Sequence, residues 1–243
     1  MYKDEKTLRK ELAAAFRWTA RLNLHESTAN HHSVAVDESG KTFLMNPFMA
    51  HFSKIKASDL VLLDADDRDT LSQPGAPDPT AWSLHSYIHA NVPRARCIMH
   101  THMPYATALS TLEDPTLVPV CQNSARFYNN IAYDKEYGGM FLSEDEPKRV
   151  VSLLGDKDVM LLGGHGAMVV GPSIAYVFDT LYHLERAAMN LMLAYSTGKP
   201  VRRLTDDVAA ITKQQWDEFP GFSDGHFNAL MAILDEDEPD YKV

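Results

Sequence analysis

Between Pro93 and Pro104 the chain has room for one short strand, and that strand ends in two histidines one residue apart. Cys97-Ile98-Met99 is the kind of apolar run found in a buried strand about to leave a sheet. Side chains at i and i+2 on a strand share a face, so His100 and His102 converge on one point. A third histidine, His165, follows another short apolar run in Leu161-Leu162-Gly163-Gly164-His165-Gly166, where the glycines permit close backbone approach. Three neutral imidazoles around one open position describe a divalent metal site of the catalytic kind, with Zn²⁺ first and Mn²⁺, Co²⁺ or Fe²⁺ also suited. Such a site exists only if the fold joins the two strand ends.

The remaining pattern alternates strands with amphipathic helices. Helices are expected over 4–22, 81–92 (capped by Thr80), 104–111, 144–154 (capped by Ser143 after a turn at Gly138-Gly139), 173–196, 205–217 and 223–234. Strands are expected at 33–36 and 42–45, joined as a hairpin through Asp37-Glu38-Ser39-Gly40, and at 60–63, 97–100, 159–162 and 167–170. Residues 118–133 offer only short apolar pieces. No repeat or long linker divides the 243 residues, so one α/β domain spanning 1–243 is expected.

A net charge of −10 argues against nucleic acid and anionic membrane surfaces as partners, leaving a small molecule as the expected ligand. No apolar run approaches the ~20 residues of a membrane span. The charged start, Met1-Tyr2-Lys3-Asp4-Glu5-Lys6, lacks a signal peptide's apolar core, so a cytoplasmic location is expected. Cys97 and Cys121 have no framework of partners and read as reduced thiols.

With these segments placed, the chain resembles the class II aldolase/adducin family, which includes fuculose-phosphate aldolase, ribulose-phosphate 4-epimerase and the adducin head. The likeness covers about residues 10–235. His100-Thr101-His102 looks like the family's metal pair, His165-Gly166 its third-ligand segment, and Glu185 in the long helix matches its pattern. The resemblance implies a single-domain α/β/α sandwich on a mainly antiparallel central sheet. It also implies a homo-oligomer, commonly a tetramer, with sites near subunit contacts.

Two departures shape the expected chemistry. The family's sugar-phosphate aldolases carry a catalytic Glu four residues before the histidine of the helix preceding the His-x-His strand, and the matching position here is Ala81, four before His85. The phosphate-binding loops are replaced by Asn30-His31-His32-Ser33, Asn46-Pro47-Phe48-Met49 and Pro79-Thr80, and Asn46-Pro47-Phe48 with the stretch Ala81 to His89 resembles the adducin-like bacterial branch. Phe48 and Met49 supply bulk where a phosphate needs backbone N–H groups and small hydroxyls.

The expected activity is therefore a metal-dependent lyase that cleaves a C–C bond in a small, non-phosphorylated hydroxy- or oxo-acid through a stabilised enolate or enediolate. Retro-aldol cleavage needs a base and an acid, whereas decarboxylation needs only the final proton donor, so the alanine tilts the expectation toward decarboxylation. Glu26, His31 and Tyr128 are the candidates for proton transfer. Arg126, whose planar fork suits a carboxylate, is the candidate substrate contact together with Ser33 and Asn46. His85 reads as helix packing, and His89, His183 and His226 as structural or surface residues. Two alternatives stand beside the lyase: an adducin-like interaction module with a vestigial metal site, and a sugar epimerase.

Overall fold

The computed structural model describes residues 3–136, 145–219 and 221–243. Its strands are β1 (His31–Ala35), β2 (Thr42–Met45), β3 (Val61–Asp64), β4 (Cys97–Thr101), β5 (Ile131–Asp134), β6 (Val159–Leu162) and β7 (Gly166–Gly171). Its helices are α1 (Glu5–Arg21), α2 (Pro79–Asn91), α3 (Pro104–Ser110), α4 (Gln122–Ala125), α5 (Glu146–Leu154), α6 (Ile174–Ser196), α7 (Asp206–Asp217) and α8 (Phe222–Asp237). The expected turn at Gly138-Gly139 and the cap at Ser143 lie outside the described residues.

The strands form one seven-stranded sheet in the order β3-β2-β1-β4-β7-β6-β5. Every pairing is antiparallel except β5–β6. Alternation along the central strands divides the core into two layers. Cys97, Met99, Leu161, Ala167 and Val169 face the large layer with α1, α3, α6 and α8. Ile98, Met160, Met168 and Val170 face the smaller layer with α2 and α5. The α/β/α sandwich expected from the family likeness is what the chain adopts.

Three local differences from expectation bear on the site. Strand β1 begins at His31, two residues earlier than its apolar run, because pairing with β4 sets His31 opposite His100 and draws a polar pair into the ladder. Helix α2 begins at Pro79 with Asp78 as its cap, whose carboxylate accepts the Thr80 and Ala81 N–H groups; a proline at the first helical position loses nothing by lacking an N–H. Thr80 lies inside the first turn. Strand β5, absent from the sequence reading, forms the sheet edge beside β6.

Candidate metal centre

Neighbouring strands β4 and β7 bring the three histidines together. His100 and His102 leave β4 on the same face, and His165 sits in the turn from β6 into β7, whose register sets Thr101 against Ala167. One nitrogen from each of His100, His102 and His165 lies within 4.8 Å of the others, and the ring centroids are 4.7–5.0 Å apart. Gly166 permits this approach. A Cβ there would lie 2.9 Å from His102 Cδ2 and closer still to the Thr101 carbonyl oxygen.

The outer nitrogens fix which lone pairs face inward. The Ala167 carbonyl, 3.0 Å from His100 Nδ1, can only accept, so His100 carries its hydrogen on Nδ1. Glu26 Oε2 lies 2.7 Å from His102 Nδ1 and imposes the same choice there. In the neutral rings that a metal requires, both Nε2 atoms are bare, and they stand 3.2 Å apart. Two lone pairs at that separation repel each other unless a cation lies between them. Burial, followed by the imidazoles of His31, His165 and His102, pushes His100 well below the ordinary histidine range. Burial and then His102 push His165 down to about 4. Both rings are neutral at neutral pH, as ligands must be. The residues present fit a divalent metal.

Surrounding elements hold this geometry from two sides. Asn30 Oδ1 accepts the Glu26 and His102 backbone N–H groups, binding the Glu26 loop to the strand exit. Met103, the residue capping α3, offers no side-chain cap, and Glu185 from α6 accepts the Tyr105 and Ala106 N–H groups at 2.8 Å each. Burial raises the Glu185 carboxyl above its ordinary range against those two bonds. Glu26, expected as a base, is occupied in orienting His102. Replacing it with Gln should weaken metal binding 10–100-fold, read by competition with a chromophoric chelator, because the ring loses its fixed tautomer and some basicity.

The other expected site residues separate into two groups. His31 is close: its ring lies 4.8 Å from that of His100. Ser33 and Asn46 are enclosed. The Ser33 hydroxyl is taken up by His85 and His89, while Asn46 accepts the His32 N–H and donates to the Asn30 carbonyl, so both brace the site from behind rather than face a ligand. Arg126 and Tyr128 have their partners elsewhere. Arg126 pairs with Asp179 at 2.7 Å and lies over the Trp216 ring, lining a cavity of about 420 Å³ with Tyr176 and Phe222. Tyr176 bonds Asp158, just before β6, so this cavity lies toward the end of the sheet away from His165. Burial and then Asp206, at the start of α7, raise the Tyr128 phenol above its ordinary range. Ala81, at the position of the missing carboxylate, is packed with Phe43, Met45, Val61, Leu63 and Trp82.

Residues 10–192 match the sequence profile of the class II aldolase and adducin N-terminal domain. The chain belongs to this family. The crystal structure of an aldolase II superfamily protein from Pseudomonas syringae superposes with a TM-score of 0.88 at 31% identity, covering 100% of this chain and 98% of that one. Decarboxylase NovR of Streptomyces niveus is 29% identical over 84% of this chain and 75% of its own length. Alpha-adducin of Rattus norvegicus is 32% identical over 75% of this chain, a stretch that makes up 25% of that protein. No helix among the described residues is long and apolar enough to cross a membrane.

Proposed function

We propose that this class II aldolase-family protein is a divalent-metal-dependent lyase that breaks a C–C bond in a small, non-phosphorylated hydroxy- or oxo-acid. The observation that carries the reading is the pair of bare Nε2 lone pairs of His100 and His102, held 3.2 Å apart beside His165 by Glu26 and a backbone carbonyl. A bound divalent cation would supply the Lewis acid that lowers the energy of the electron pair left when the bond breaks. His31 is the nearest imidazole outside the three and the candidate group for contact with the reacting substrate. In its own chain Arg126 is paired with Asp179, outside the cluster. A part in the reaction for Arg126 or Tyr128 belongs to a neighbouring subunit of the homo-oligomer that the family likeness implies.

The rim supports a substrate without phosphate. Phe48 and Met49 are 53% and 64% exposed in a turn that contacts the Glu26 loop through Thr28 and Met49, and Met49 has a positive φ of 60°. That turn offers bulk in place of an N–H nest. Ala81 leaves the helix side without the carboxylate that retro-aldol cleavage of sugar phosphates employs, and NovR is named a decarboxylase.

The test is turnover by metal-loaded protein on 2-oxo and 2-hydroxy acids, followed as CO₂ or aldehyde release, beside fuculose 1-phosphate and ribulose 5-phosphate. Non-phosphorylated acids should react at least about a hundredfold faster, equivalent to ~2.7 kcal/mol of barrier. Comparable rates on the sugar phosphates would reverse the substrate assignment. The likeness to alpha-adducin favours a second reading, an interaction module. It requires that no metal-dependent turnover be found on any of these compounds.

A further inference from the structure

Behind the metal cluster runs a hydrogen-bonded chain that ends on a backbone carbonyl. His89 Nδ1 lies 2.7 Å from the Ala95 carbonyl oxygen, and His89 Nε2 lies 2.7 Å from Ser33 Oγ. Ser33 Oγ is 2.6 Å from His85 Nδ1, and His85 Nε2 is 2.7 Å from His31 Nδ1. Two helical turns of α2 and two residues of β1 supply these groups. His85 and His89 are one turn apart on a single face, and His31 and Ser33 share a face of the strand. Gly40 secures the far end, since a Cβ there would collide with the His89 carbonyl oxygen.

The direction of every bond follows from its last acceptor. A carbonyl cannot donate, so His89 carries its hydrogen on Nδ1 and its Nε2 is bare. The Ser33 hydroxyl must donate to that Nε2 and is left to accept from His85 Nδ1. His85 Nε2 is then bare and accepts from His31 Nδ1, which leaves His31 Nε2 as a lone pair. Burial pushes His89 to about 4 and His85 well below the ordinary range, consistent with neutral rings that each hold one hydrogen. The bond to His85 uses Nδ1, so Nε2 is the nitrogen of His31 left for a ligand.

We propose that Ser33, His85 and His89 are positioning residues that hold His31 with its hydrogen on Nδ1, so that Nε2 stands beside the His100–His102–His165 cluster as an acceptor for a substrate hydroxyl. This rests on the metal-dependent reading above and narrows its substrate class to hydroxy acids. The acceptor belongs to a group that a strand register, rather than a carboxylate on α2, places beside the metal. Ala81 can therefore be apolar without leaving the substrate hydroxyl unmet.

The tautomers can be read directly. Long-range ¹H–¹⁵N correlation spectra of ¹⁵N-histidine protein distinguish Nδ1–H from Nε2–H rings, with His31→Gln assigning the His31 signals. Wild type should show His31, His85 and His89 all as Nδ1–H. Ser33→Ala should shift His31 to a mixture of tautomers, and Ser33→Thr, which keeps the hydroxyl, should restore it. A His31 that is Nε2–H or charged in wild type overturns the proposal without recourse to any variant, as does a His31 signal indifferent to Ser33→Ala.

The acceptor role is tested by binding of lactate and of 2-methoxypropionate to metal-loaded protein. Wild type should prefer lactate by about tenfold, the worth of one hydrogen bond, and the ratio should fall toward one in Ser33→Ala. Steric exclusion of the methyl group would be the same in both proteins and would leave the ratio unchanged, which counts against the proposal. A protein that takes up no divalent ion would instead defeat the metal reading, while the spectra still decide the network.

Discussion

His165→Ala purified without chelators should carry no stoichiometric divalent metal, and His100→Ala should behave the same way. Each removes one of three neutral nitrogen donors, and the nearby carboxylates are engaged, which leaves the His31 imidazole, bonded through Nδ1 to His85, as the remaining neighbour of the cluster. Glu26 is committed to His102 Nδ1 and Glu185 to the α3 N–H groups. Binding energies of protein zinc sites are on the order of 10–16 kcal/mol, so one ligand in three supplies several kcal/mol. Its loss should weaken binding by about a thousandfold or more. The fold should survive, because His165 lies in a turn only partly buried. Elemental analysis together with circular dichroism checks both points. Retention of full metal by either variant would place the ion elsewhere, and a wild-type protein devoid of metal under metal-replete conditions would remove the basis for the lyase.

Acid should destabilise this protein from about pH 6.5 downward, through its buried histidines. His32, His85 and His89 are buried, and burial first pushes His32 to about 3 and His89 to about 4. In the unfolded chain both return to about 6.5. Below that value the unfolded state binds protons that the folded state refuses, so stability is complete above about pH 6.5 and is lost as the pH falls toward the folded values. Each ring is worth about 1.4 kcal/mol per pH unit, and His32 with His89 alone should remove about 5 kcal/mol by about pH 4.5. That is on the order of a typical domain's whole stability. Urea midpoints measured from about pH 7.5 down to about pH 4.5 would show the slope. His32 stacks on Phe16 in the large layer, far from the ligand face of β1, so His32→Gln should flatten the slope by one proton without touching the cluster. A flat profile across this range would contradict the account.

The convergence of His100 and His102 was legible because it depends on two short-range rules, the period of two along a strand and the breaking of strands by proline and glycine. Those rules set His100 beside His102, while His165 joins them only because β7 pairs with β4. The long helices were legible for a similar reason: Ser173 and Thr205 cap α6 and α7 through their own side chains. Where partners lie far apart in sequence, local pattern carries less information. Strand β1 starts at His31 only because β4 pairs with it, and β5 is a strand only because β6 lies alongside. The i, i+4 spacing of His85 and His89 was visible, but that it meets Ser33 depends on α2 crossing the face of β1. Arg126 and Tyr128 carry the chemistry of a carboxylate contact and a proton donor, but which face of the fold they occupy depends on long-range packing, and within its own chain Arg126 pairs with Asp179.

Glu185 carries a consequence for how relatives of this protein are compared. All three metal-facing rings come from the first 165 residues, yet the start of α3, immediately after His102, is held by a carboxylate twenty residues further on. Possession of the histidines alone is thus an incomplete qualification. A homologue that keeps the trio but changes this distant acid has lost the strut beneath one of its legs.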